Sequence, residues 1–522
     1  MPKAAVSLLK SSVVVSAITM LSRVMGLLRD IVFAHTIGAQ PGADAFFVAF
    51  KIPNFLRRLF AEGAFSQAFV PVLAEYRQQG SVAAIQGLID RVCGCLGAVL
   101  LLLTLLVVAG APLVTVVFAP GFWSDPMRFQ LTETMLRLTF PYLFLIAMTG
   151  MAGAILNSYD RFAVPAFTPV LLNISLITAA IWLAPYTEPP VIALAWGVLM
   201  GGFVQLGFQI PFLWRLRLVP KPVVDWDHPG VRKILLLMGP AVFAVSVSQI
   251  NLLLDTILAS LLPQGSVSWL YYSDRLTELP LGVFGIAIAT VILPHLSRQH
   301  TDTNTILFSE TLDWALRVVL LLAVPATIAL VMLAQPMLTT LFQYGRTTET
   351  DILMSTFSLQ AYSLGLVAFM LIKVLAPGYF SRQDMKTPAR IGIVAMISNA
   401  VFNIILVVPF HFLWQIGHAG LALATALSAF INAGLLFRGL LKLGVYKPQG
   451  NWLYYLIKLF LANGAMAIAL WLCLDYFQQW QTVVAWQRIA QLLGICSFGF
   501  GVYFSILLLC GLRVRHFTLH NN

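Results

Sequence analysis

The sequence predicts an all-α polytopic membrane protein of about 14 transmembrane helices, in two six-helix lobes plus two C-terminal helices. Three observations predict this class. Of the 522 residues 59% are hydrophobic and 10% charged, with mean hydropathy +0.86, which excludes a soluble domain. Fourteen apolar stretches are long enough to span, because about 20 residues of helix cross a hydrocarbon core. The basic residues also sort onto alternate loops.

The spans, in order, are 12–37, 43–75, 92–118, 131–157, 164–185, 190–213, 236–262, 267–296, 312–334, 352–379, 389–409, 417–437, 453–474 and 487–511. The first carries Arg23 inside its apolar run and is followed by no small-residue cleavage site, so it reads as a retained helix and not a signal peptide. With the N-terminus inside, the inner loops collect Lys3, Lys10, Arg77, Arg91, Arg161, Arg215, Arg217 and most later basic residues. The outer loops hold only Arg128, Arg346 and Arg488. That bias predicts a multi-pass protein with both termini cytoplasmic, and it accounts for the net charge of +11 without nucleic acid, since anionic lipid headgroups lie on that side.

Repetition at one offset divides the spans. Gly42 and Gly265 both precede an aromatic-rich helix, and the same shift of 223 residues maps Pro71 onto Pro294 and Pro165 onto Pro388. Six spans fit in that interval, an even number, so the repeats run parallel. The expected organisation is a six-helix lobe over 1–217, a basic, proline-rich cytoplasmic linker over 218–235, a second six-helix lobe over 236–445, and two additional helices within 446–522.

Charges inside the spans are the candidate functional residues. Arg23, Arg29, Lys51, Arg57 and Arg58 fall within the first sixty residues. An Arg at the bilayer centre costs roughly 2.5–3.5 kcal/mol, so these must face a water-filled cavity, an anion or an acid. The guanidinium fork suits phosphate, which points to a lipid-soluble phosphorylated substrate. Arg23 and Arg29 lie about 9 Å apart along one helix and roughly 120° around it. Arg58 and Glu62 share a face, which leaves Arg57 for substrate, and Arg275 sits beside Asp274 with Glu278 one turn on. For each arginine the alternative is a structural ion pair. The acids Asp44, Glu62, Asp274 and Glu278 either hold the arginines in place or gate the cavity. Lys51 and Lys373 read as snorkelling or paired, and Arg137 and Arg317 as interfacial.

A separate set, Asp255, Asn399, Asn403 and Thr425, offers carboxylate, amide and hydroxyl oxygens on the seventh, eleventh and twelfth spans. It is a candidate sodium site that couples an ion gradient to lobe motion, or a hydrogen-bond network that glues helices together. The five cysteines lie within or at the edge of spans and read as free thiols. No G-x-x-x-x-G-K-[ST], H-E-x-x-H or G-x-S-x-G motif is present, and Asp225 and Asp227 in the linker read as solvated charges, so no catalytic residues are assigned.

The segments SRVMGLLRD (22–30), ADAFFVAFKIPNFLRRLFAEGAFSQAF (43–69), GPAVFAVSVSQI (239–250), SVSWLYYSDRLTE (266–278) and VLAPGYFSRQDMKTP (374–388) resemble the MviN/MurJ family over essentially the whole chain. The resemblance implies a fold of the multidrug/oligosaccharidyl-lipid/polysaccharide exporter superfamily, two six-helix lobes in a V around a cavity. It implies a flippase that carries lipid II, or a similar polyprenyl-diphosphate glycolipid, across the bacterial inner membrane by alternating access. Arg23, Arg29, Asp44, Arg57, Arg275 and Glu278 sit in the matching motifs. No cofactor is implied beyond a coupling ion, sodium or proton; the expected partners are membrane lipids and cell-wall synthases, around a monomer. The alternatives are an exporter of another polyprenyl-linked glycan or a drug, and a membrane-embedded glycosyltransferase.

Overall fold

The computed structural model describes residues 3–58, 65–285, 288, 292–293, 295–297, 305–477, 480 and 483–512, and their side chains except those of 3–12, 79, 243–248 and 305. Every regular element described is helical. Ten helices or helix pairs among the described residues are long and apolar enough to cross a membrane. Of the other four expected spans, 43–75 and 267–296 run through undescribed residues, while the helices Lys3–Thr36 and Pro229–Ser260 lie over 12–37 and 236–262. The chain falls into two compact units, Met1–Ser268 with Gly345–Thr347, and Trp269–Tyr344 with Thr348–Asn522. The helix Pro229–Ser260, expected to open the second lobe, therefore groups with the first unit.

In the first unit, α1 (Lys3–Thr36) lies along α8 (Ala163–Thr178), and α8 packs on α9 (Ile192–Arg215). Helix α2 (Pro41–Leu56) packs on α6 (Pro126–Thr139), and α10 (Pro229–Ser260) on α3 (Phe65–Gln79). The helix α7 (Tyr142–Ser158) is apolar and buried almost all round, so it occupies the middle of the unit. By contrast α4 (Val82–Ala109) exposes Leu101, Leu102, Leu105 and Leu106, a face suited to lipid. A short α5 (Ala111–Phe118) continues it beyond Gly110. Pro141 separates α6 from α7 without ending the span, which runs Pro126–Ser158.

Two close approaches organise the loops of this unit. Gly38, at φ +61°, leaves room for the backbone of Arg346, whose N–H donates to His35 O at 3.1 Å, while Thr347 Oγ1 donates to Ala34 O at 2.8 Å. The linker is bound down and not free in solvent. Lys221 N donates to Asp90 Oδ1 (2.7 Å), Val223 N to Asp90 O (3.1 Å) and Arg91 Nε to Asp225 Oδ2 (2.8 Å). A Cβ at Gly94 would collide with the Val223 backbone. Asp225 thus has a partner that its sequence context did not reveal, and the Arg91 hydrogen bond holds its carboxyl below the usual range.

The second unit contains α11 (Ser266–Pro280) from Trp269 onward, then α12 (Thr305–Met332), α13 (Ala334–Phe342), α14 (Glu349–Leu364), α15 (Leu366–Phe380), α16 (Lys386–Trp414), α17 (Gly417–Lys442), α18 (Trp452–Tyr476) and α19 (Ala485–Leu509). A core of Leu312, Leu316, Val319, Met370, Val374 and Leu440 joins α12, α15 and α17. Helices α18 and α19 pair through Leu459, Met466, Ile495 and Tyr503 and dock on α12. A polar node fixes that docking. Buried Asp313 Oδ1 accepts from Tyr446 OH (2.7 Å), Trp452 Nε1 (2.7 Å) and Gln449 N (3.2 Å), while Oδ2 accepts from Arg317 Nε (2.8 Å). Arg317 also donates to Gln449 O and Gly450 O and lies over the Trp452 ring at 5.0 Å. Arg317 thereby anchors the C-terminal helix pair, a role that its place near a span end does not reveal.

Candidate functional site

Arg29 is buried on α1 and its donors are shared out. Nε and Nη2 donate to Asp30 Oδ1 at 3.0 and 2.7 Å, and Nη1 donates to Asn173 Oδ1 on α8 at 3.0 Å. Asn173 Nδ2 donates in turn to Ser22 O at 3.2 Å, which ties the two helices together, and the guanidinium carbon stands 5.5 Å from the Phe33 ring centroid. Asp30 is 1% exposed, so this is a charge pair taken out of water and held by supplementary hydrogen bonds. Gly26 lies at the same crossing, where an added Cβ would meet the Asn173 amide at an ordinary 3.8 Å. Arg23, six residues before Arg29, is half-buried and has no ion pair among the described residues. On one helix face the charge is therefore neutralised locally, and one and two-thirds turns away a guanidinium has no acid paired with it among the described residues.

Asp44 has a different place. It is wholly buried in the first turn of α2, where Oδ2 accepts from Gly265 N (2.7 Å) and Oδ1 from Ser268 N (2.9 Å) and Ser268 Oγ (2.6 Å). Those amides open α11, so the carboxylate satisfies orphan donors at a helix N-terminus and meets the positive end of its dipole. Arg128 Nη1 approaches to 3.9 Å, while its Nε donates to Asp125 Oδ2 at 2.7 Å. Asp125 is also the N-cap of α6, just before Pro126; burial raises its carboxyl pKa, but the Arg128 contacts outweigh this and hold it below the usual range. The sequence placed Arg128 in an outer loop, although the Asp-Pro-x-Arg spacing is a legible capping signal.

Arg57 lies in a π-turn ending α2 and donates from Nε to Asn54 Oδ1 at 3.3 Å; Arg58 beside it is exposed. Glu62 lies outside the described residues. In the second unit Arg275 Nη1 donates to Glu278 Oε2 at 3.0 Å and its guanidinium lies 4.9 Å from the Tyr271 centroid, leaving both charged groups partly open to solvent. Asp274 is half-buried beside them. Asn399 and Asn403 are buried on α16, which packs closely on α17, where the Thr425 hydroxyl donates to Leu421 O at 3.1 Å. Asp255 is buried on α10, in the first unit.

Helices of this length and hydropathy, with arginines and acids buried inside them, define a multi-span membrane protein. A family model described as "Lipid II flippase MurJ" matches residues 33–490. The chain belongs to that family. It is 50% identical over 515 residues to a probable lipid II flippase of Vibrio cholerae serotype O1, covering 97% of each chain. It is 42% identical to the lipid II flippase of Burkholderia cenocepacia, covering 98% of this chain and 99% of the relative. A solved lipid II flippase in an inward closed conformation superposes with TM-score 0.78 at 27% identity, covering 95% of this chain and 98% of that one. A multidrug transporter of the MOP superfamily shares the fold alone, with TM-score 0.65 at 16% identity over 84% of this chain and 99% of that one.

Proposed function

We propose that this protein carries lipid II from the inner to the outer leaflet of the cytoplasmic membrane by alternating access. The observation that carries the reading is Arg23, a guanidinium inside a membrane-length helix with no ion pair among the described residues, in a chain of the flippase family. A diphosphate bears about two negative charges, and charge-assisted hydrogen bonds to guanidinium are among the strongest available. Arg23, Arg29, Arg57 and Arg275 bind the diphosphate-sugar headgroup, with Arg29 exchanging Asp30 for phosphate oxygens during the cycle. Asp274 and Glu278 position Arg275. The transport unit is two six-helix lobes over 1–217 and 236–445, joined by the linker, and both termini face the cytoplasm. Asp255, Asn399, Asn403 and Thr425 take a coupling sodium ion. The protein works as a monomer and delivers its product to cell-wall synthases.

The test is the appearance of labelled lipid II in the outer leaflet of cells depleted of their own flippase and complemented with this chain or with Arg23→Glu. Transport by the wild type and its loss in an equally expressed variant is the expected result. Wild-type transport retained by the variant sinks the arginine assignment, and none from either shifts the cargo to another polyprenyl-linked glycan.

A further inference from the structure

We propose that a cavity at the turn between α7 and α8 binds the phosphate-bearing headgroup of an anionic phospholipid. The cavity has a volume of about 390 Å3 and is walled by Val14, Phe162, Phe212 and Leu216, with Arg161 and Arg215 at its edge. Its shape follows from two helix ends that close in the same way. Helix α7 ends with Asp160 at φ +60° and Arg161 N donating back to Leu156 O (2.9 Å); α9 ends with Arg217 at φ +57° and Leu218 N donating back to Leu213 O (3.0 Å). Each is a left-handed closure that turns the chain sharply off its helix. Together they leave a hollow flanked by one arginine from each end. Arg77 braces the site from α3, donating to Ser158 O and lying 4.3 Å from the Tyr159 ring centroid.

The charge in this hollow is unspent. Among the described residues neither Arg161, nor Arg215, nor the Asp160 carboxylate that also lines the cavity, has an ion-pair partner. Arg215 stacks on Phe212 at 5.8 Å, which directs it along the wall. Two guanidinium groups against one carboxylate leave a net positive site, and the volume is that of a small-ligand pocket. The apolar walls and the exposed neighbours Val14 (45%) and Trp214 (75%) favour a lipid over a free anion, because they offer the glycerol and acyl portions a continuous surface. A basic hollow at a bilayer surface is where anionic headgroups concentrate, a point that rests on the proposed orientation with this loop in the cytoplasm. The site is separate from the Arg29–Asp30–Asn173 network and serves to hold a membrane lipid, not the transported one.

The test measures lipid retention, not flipping, so its failure is distinct from failure of the flippase reading. Full-length protein is exchanged into mixed phosphatidylcholine and phosphatidylglycerol, and retained lipid is counted by native mass spectrometry with inorganic phosphate as competitor. The expected result is selective retention of phosphatidylglycerol, lowered about fivefold for each of Arg161→Ala and Arg215→Ala and raised by Asp160→Asn. Equal retention by the wild type and the double arginine variant overturns the proposal. So does weaker retention in Asp160→Asn, which would mark a cation site, and so does displacement by inorganic phosphate alone, which would mark a soluble anion as the ligand.

Discussion

Replacing Asp44 separates two roles that its position allows, a helix anchor and a gating acid. In the folded protein its carboxylate accepts from Gly265 N, Ser268 N and Ser268 Oγ and is fully buried. Asp44→Ala leaves two backbone amides without acceptors at about 1–3 kcal/mol each. It also removes an N-terminal cap, in itself about 0.5–2 kcal/mol, while recovering part of the cost of burying a charge. The net expectation is a loss of about 3 kcal/mol. Asp44→Asn keeps one acceptor but turns an NH2 group toward a backbone donor, so about 2 kcal/mol is lost. Arg128 is not stranded in either variant, because Asp125 holds its Nε at 2.7 Å. The assay is thermal unfolding of the purified protein beside hydrogen exchange at residues 265–268, with transport measured in parallel. Faster exchange at those amides, lower stability and a proportionate fall in transport are expected. Stability within about 0.5 kcal/mol of wild type with unchanged exchange, but no transport, would refute the anchor and make Asp44 part of the transport cycle.

Arg23→Ala should abolish transport with little loss of stability, because no ion pair is broken among the described residues; Arg29→Ala should lose both, since Asp30 and Asn173 lose the guanidinium they hold. Comparing melting and transport for the two variants checks this. Asp313→Ala strips four hydrogen bonds from the node that docks α18 and should destabilise by about 3–5 kcal/mol, read as protease cleavage in 443–451 before global unfolding. Gly94→Val drives a side chain into the Val223 backbone and should release the linker, seen as faster exchange at 219–225 with the bundle intact. The Asp225 carboxyl is held below its ordinary range chiefly by the Arg91 hydrogen bond, so its hold on the linker is present above the unfolded aspartate pKa and lost as pH falls through the lowered folded value. Linker exchange should therefore rise at acid pH, and Arg91→Ala should erase that dependence.

Much of the fold was legible because a bilayer imposes it. A chain with this hydropathy must satisfy its backbone inside helices, so span positions follow from length and apolarity, and Arg23 and Arg29 stand out because charge in lipid needs a reason. The six residues between Asp160 and Phe167 likewise announce a helix end and a new start. What sequence could not reach is partner choice. Asp44 and Gly265 are 221 residues apart, Arg29 and Asn173 144, and Asp313 and Trp452 139, and no local pattern links them. An acid beside an arginine-rich stretch reads as that stretch's counter-ion; only the packed chain makes Asp44 the cap of a distant helix.

The sequence by itself determined the membrane class, the helices and which charges are out of place, since hydropathy and charge are properties each residue carries with it. Tertiary structure alone decided which of those charges are spent: Arg29 is taken up by Asp30 and Asn173 and Arg317 by Asp313, while Arg23 has no ion pair among the described residues. The physical reason is that a hydrogen bond acts over about 3 Å, and only folding brings residues from different helices within that distance.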